Sequence, residues 1–61
     1  MNFQTNECAL FAYTDGDGEL DLADCNVIEV DTDSILIDYI NVFGPPTRMT
    51  IPLSAIIERF E

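Results

Sequence analysis

Lysine and histidine are absent from this 61-residue chain, and its only basic residues are Arg48 and Arg59. Without histidine there is no side chain that ordinarily titrates near neutral pH, and no imidazole to ligate a metal. Without lysine, Schiff-base chemistry and a lysine clamp on phosphate are excluded. Cys8 and Cys25 are the only cysteines, and neither has a cation nearby in sequence to lower its thiol pKa. Two cysteines make a weak disulfide framework, so both are expected reduced and packed. Residues 1–7 carry no basic stretch and lead into no apolar run of signal-peptide length, and no segment approaches a membrane span. A cytoplasmic protein is expected. Catalysis, cofactors and metals have no residues to stand on, so neither an enzyme nor a cofactor is expected. Paired carboxylates such as Asp31 and Asp33 sit where an exposed turn is predicted, a poor setting for an acid/base dyad.

What is abundant is negative charge. Nine of the twelve acidic residues lie between Asp15 and Asp38, a window with no basic residue, and the formal net charge is -10. A hydrophobic content of 48% nevertheless rules out a solvated acidic tail. The chain folds as one domain over residues 1–61, on a core near the lower size limit for independent folding. Self-repulsion opposes that folding most at low ionic strength. The same charge repels nucleic acid and anionic membranes, leaving basic protein surfaces or cations as partners for an expected monomer.

Alternation of apolar and polar residues supplies the fold class. Residues 8–13 form an aromatic-rich strand, and residues 14–18 a turn with two glycines. Leu20 and Leu22 alternate with Glu19 and Asp21 as a half-buried strand, and residues 23–26 break the pattern with a bend, bulge or helical turn. Ile28 and Val30, a turn at residues 31–34, and then Ile35, Ile37 and Tyr39 read as a hairpin with one apolar face. Gly44-Pro45-Pro46 is a loop, and Met49, Ile51 and Leu53 mark another strand, which Pro52 assigns to a sheet edge or a strand end. For residues 54–61 a short helix capped by Ser54 is favoured over a last strand bearing Ile56, Glu58 and Phe60 on one face. The predicted fold is mainly β: a small twisted antiparallel sheet of four or five strands, open or closed into a small barrel, with a short C-terminal helix.

Asp15, Asp17 and Glu19 have the alternate spacing of a calcium loop. Leu20 stands where an EF-hand needs glycine and Asn26 where it needs a bidentate glutamate, so a solvated acidic turn is the better reading. The stronger pattern is a row of like charges. Outward strand residues recur roughly every 6.5–7 Å, near the spacing of phosphates along a nucleic-acid strand. Asp15, Asp17, Glu19 and Asp21 share one alternation phase, Glu29, Asp31 and Asp33 another, and Asp38 returns on the paired arm. With Asp24 these nine are the candidate partner-binding residues, standing in for a polyanion before a groove built to hold nucleic acid. Fixed carboxylates lose less freedom on binding than a disordered tail would.

In size and acidity the whole chain resembles the small inhibitor proteins of bacteriophages and mobile elements, and among them the anti-CRISPR proteins, several of which imitate DNA. The resemblance rests on no motif and transfers no residue roles. It implies a partner class, a CRISPR effector whose nucleic-acid channel is positively charged, with a type I surveillance complex favoured, in the cytoplasm of a bacterial host. The competing reading is a small structural or assembly module that docks on a protein through an apolar sheet edge at Leu36, Ile40, Val42 and Phe43.

Overall fold

The computed structural model describes residues 2–40 and 44–60. Five antiparallel strands form one open sheet: β1 Cys8–Thr14, β2 Leu20–Val30, β3 Ser34–Tyr39, β4 Thr47–Pro52 and β5 Ile56–Arg59. Their spatial order is β4-β3-β2-β1-β5. The first four strands thus form a meander, and the chain then crosses back to lay β5 against the free edge of β1. A single 3₁₀ turn, Leu53–Ala55, makes that crossing. The sheet is the expected mainly β fold. The tail is helical only in this turn, and the rest of it takes the alternative weighed above, a last strand. Pairing with β1 satisfies the inward-edge backbone groups of Ile56–Arg59 and buries Ile56 against the core, which an isolated one-turn helix would not do.

No second layer covers the sheet, so it coils around its own apolar face. Phe11 and Tyr13 of β1, Ala23, Cys25 and Val27 of β2, Ile35 and Ile37 of β3, Ile51 of β4 and Ile56 of β5 meet in one core. Met49 and Leu53 pack at its margin as their alternation predicts, and Pro52 ends the edge strand β4. Phe3, which the sequence reading left unassigned, is also buried, its ring edge-on to Phe11 at 5.5 Å. The leading segment is held there by two bonds to β2: Asn6 N–H donates to Val27 O at 2.7 Å, and Val27 N–H to Glu7 O at 2.8 Å.

Strand β2 departs most from expectation. It runs unbroken for 11 residues, and residues 23–26 form no bend. The inward phase is Ala23, Cys25 and Val27, small side chains suited to a central strand under Phe11. Leu20 and Leu22 lie on the opposite phase and are 67% and 53% exposed. The irregularity comes later. Val27 pairs with Ile37 but Glu29 with Leu36, so Ile28 is an extra residue in a β-bulge. The bulge resets the alternation, and Val30, not Ile28, opposes inward-facing Ile35. A second bulge lies where β5 meets β1: Tyr13 pairs with Ile56 but Ala12 with Glu58. Ile56 and Arg59 therefore share the inner phase, whereas Glu58 and Phe60 are turned outward.

The two cysteines sit on opposite faces of neighbouring strands, since Cys8 pairs with Asn26 while Ala9 pairs with Cys25. Both are free thiols, Cys25 buried as expected and Cys8 exposed. Burial pushes the Cys25 thiol up to about 11, which holds it protonated. Its Sγ lies 3.6 Å from Ala9 O as a donor.

Candidate acidic interaction surface

The carboxylates occupy three places. The first is the β1–β2 hairpin loop, where Asp15 is a structural residue. Its Oδ1 accepts from the N–H of Asp17 at 2.9 Å and of Glu19 at 3.0 Å, while Asp15 N–H donates to Glu19 O at 2.9 Å. Gly18 closes the loop at φ +82°, a left-handed conformation that glycine adopts without strain. The resulting loop is stiff, with the Asp17 and Glu19 side chains exposed on it. Asp15 is thus engaged by the backbone. Among the described residues, no group of three Asp, Glu or Cys side chains converges as a metal site would require.

The second place is the β2–β3 turn. Asp31 Oδ1 accepts from Thr32 N–H at 2.8 Å, and Asp31 N–H donates to Ser34 O at 2.9 Å. Asp33 O accepts from Leu53 N–H at 2.8 Å, which ties this turn to the crossing segment. The third place is the outer face, where Asp24, Glu29 and Asp38 lie in successive cross-strand rows. Asp24 pairs with Leu10, Asn26 with Asp38 and Cys8, and Glu29 with Leu36.

The two uniform rows anticipated from the sequence do not form. Residues 15–19 turn rather than extend, Asp31 and Asp33 belong to a turn, and Asp21 opposes Tyr13 on the inner phase, exposed beyond the core. Coiling of the sheet instead draws the β1–β2 hairpin toward the edge strand β4, which Glu29 already reaches through the Glu29–Leu36–Thr50 row. Asp15 and Gly16 line a cleft of ≈ 140 Å³ with Met49, Thr50 and Pro52 of β4. Glu29 and Asp31 line a second, of ≈ 200 Å³, with Leu36 and Thr50. Thr50 borders both, so acidic side chains more than a dozen residues apart in sequence bracket the C-terminal half of β4. Burial, with Asp21 second, holds the Tyr13 phenol above its ordinary pKa, so it stays neutral beside the first cleft.

Both arginines are engaged within the fold. Arg48 Nε donates to Asp38 Oδ1 at 3.0 Å and Nη2 to Oδ2 at 3.4 Å, across the β3–β4 pair. Asp38 is therefore the one candidate residue with a basic partner. Arg59 pairs with Glu7, bonds Asn2 O, and stands 4.8 Å over the Phe3 ring. It pins the leading segment to β5 and holds the Glu7 carboxyl below its ordinary value. Neither arginine offsets the hairpin carboxylates.

Sequence reasoning missed the outward apolar residues. Leu20, Leu22, Ile57 and Phe60 are exposed among the described residues. Their phase depends on the two bulges and on which neighbours of β2 are small, which alternation alone does not disclose. Of the apolar edge anticipated above, Ile40 is exposed and Leu36 half-buried, and Val42 and Phe43 lie outside the described residues.

No protein-family model, curated protein or solved structure matches this chain. Among the described residues no helix is long and apolar enough to cross a membrane.

Proposed function

We propose that this protein is an acidic inhibitor that occupies the nucleic-acid-binding site of a basic protein or complex. A CRISPR effector in a bacterial cytoplasm is the favoured target, and a type I surveillance complex the first to try. The observation that supports this reading is the convergence on β4: Asp15 from one stiff hairpin and Glu29 and Asp31 from another flank the same edge strand. Both cations of the chain are already paired elsewhere. A surface of one sign on preformed loops attracts arginines and lysines that otherwise hold phosphates, with little ordering cost and with fast, salt-sensitive encounter. The support comes from clustered, unneutralised charge rather than from a strict phosphate-like spacing along one strand.

The test is displacement of target DNA from a purified surveillance complex, with capture from bacterial lysate at low and high salt to name other partners. Inhibition that weakens steeply with ionic strength is expected. Charge reversal of Asp17, Glu29 and Asp31 to lysine should abolish it while the fold persists. Full inhibition by that folded variant would sink the proposal. The second reading, an assembly module, is favoured by exposed Ile40 and its apolar neighbours on the outer face, and predicts complexes that survive high salt.

A further inference from the structure

The outer face of the sheet has an organisation that charge alone leaves unexplained. Phe60 N–H donates to Leu10 O, Leu10 pairs with Asp24, and Ile40 N–H donates to Asp24 O, each bond being 2.8 Å. Phe60, Leu10, Asp24 and Ile40 thus form one row across four strands, with a single carboxylate among three apolar side chains. The next row places Leu22 opposite Ala12, which is small enough to be buried between Leu22 and Glu58. Leu22 is 53% exposed and Phe60 48% exposed. A concavity of ≈ 320 Å³ opens at Cys8, Ala9, Leu10 and Asp24, in the middle of this surface.

From this arrangement we infer that the outer face of β1 and β2 is a docking surface for a partner-protein segment in which arginine alternates with aliphatic residues. An arginine anchors in the concavity at Asp24. Its aliphatic stem lies along Leu10 and its planar guanidinium meets the Asp24 carboxylate, a pairing suited to arginine. Neighbouring aliphatic side chains of the segment cover Leu22, Ile40 and Phe60. Charge complementarity selects this occupant. Glu58 stands on one flanking row, and Asp38 on the other is already engaged by Arg48. Neither arginine of the chain lies on β1 or β2, which leaves Asp24 and Glu58 to draw the basic segment. A second copy of the chain would set these same carboxylates face to face and add another -10 of net charge. An anionic lipid surface would be repelled. The inference rests on the proposed function and deepens it by giving the basic partner a second, partly apolar contact away from the β4 clefts.

The experiment is amide NMR of the labelled protein titrated with two synthetic peptides of equal charge, Leu-Arg-Leu-Arg-Leu and Ser-Arg-Ser-Arg-Ser, both with blocked ends. The leucine peptide is expected to bind at least about tenfold more tightly, shifting Leu10, Leu22, Asp24 and Phe60. Asp24→Asn and Leu22→Ser, both at exposed positions, should each remove about tenfold of that affinity. Equal binding of the two peptides with shifts confined to residues 15–19 and 31–33 would overturn the inference and leave the charge-based function standing. No binding, or shifts that follow protein concentration without peptide, would overturn it as well. Binding at this face combined with full inhibition by the hairpin charge-reversal variant would instead sink the proposed function and keep the docking surface.

Discussion

The two faces of one sheet obey different rules. The buried core of the inner face is uncharged: Phe11, Ile35, Ile37 and Ile51 fill it, Asp21 and Arg59 of the same phase stay at its margin, and among the described residues no charged side chain is buried. The outer face and hairpins bear carboxylates interleaved with exposed leucines, and among the described residues their one internal compensation is Arg48 on Asp38. Stability therefore resides on one side, and the recognition proposed above falls to the other. In a domain this small, that separation lets the exterior accumulate charge without any carboxylate being desolvated.

The largest effect expected from the inner side is that of Phe11→Ala. Phe11 is fully buried and edge-on to both Phe3 and Tyr13, at 5.5 and 6.0 Å. Its truncation should cost about 3–5 kcal/mol and abolish cooperative unfolding in urea. A loss below about 1 kcal/mol would mean that the core is not continuous across the strands. On the outer side, lysine at Asp17, Glu29 and Asp31 changes the net charge by +6, from -10 to -4. Partner affinity should fall by about a hundredfold or more, while the melting temperature at low salt rises as self-repulsion is relieved. A fall in both would show that the faces are not separable.

Thiol chemistry sharpens the same contrast. Exposed Cys8 should react promptly with an aromatic disulfide at neutral pH, and Cys25, held protonated by its pKa of about 11, only on unfolding. Equal rates would contradict the assignment of the two residues to opposite faces. Smaller still is Gly18→Ala: a Cβ there meets no atom within 4 Å, but the backbone sits at φ +82°, so about 1 kcal/mol of strain is expected. Gly16→Ala, which has open space and no positive φ, should melt like the parent.

The smallest effect concerns Glu7, whose folded pKa is lowered by its hydrogen bonds from Arg59 and Gln4. A depressed carboxyl stabilises the fold above its unfolded value and loses that contribution as pH falls through the folded value. The parent should therefore lose slightly more stability than Glu7→Gln on acidification below the usual carboxylate range. Parallel pH profiles would show that the Arg59 pair contributes nothing in solution.

Turn chemistry and strict alternation were legible in the sequence. Gly16 and Gly18, the Asp31–Ser34 turn, the proline pair at 45 and 46, and the runs at residues 35–39 and 49–53 sufficed for a small antiparallel sheet. What failed was phase. Leu20 and Leu22 look like core residues because leucine usually is, yet the core needed small side chains on β2, and Ala23, Cys25 and Val27 supply them. The bulges at Ile28 and Ile57 shift alternation by one residue, and no local propensity marks either site. The tail was ambiguous for the same reason, since Ile56, Ile57 and Phe60 fit helical spacing as well as a bulged strand. For the acidic surface, sequence identified every carboxylate but not their grouping. That depends on coiling, which brings the β1–β2 hairpin to one side of β4, and on the β2 bulge, which sets Glu29 in the row of Leu36 and Thr50 on the other.

The bulge at Ile28 also bears on how this chain tolerates length changes. Because Val27 opposes Ile37, Glu29 opposes Leu36 and Val30 opposes Ile35, excising Ile28 would leave every one of these partners matched in an unbroken ladder. A chain one residue shorter would keep its pairing and forfeit only the local twist. The extra residue is thus a shape element inserted into an already self-consistent ladder, and a single-codon deletion there would flatten the hairpin without scrambling it.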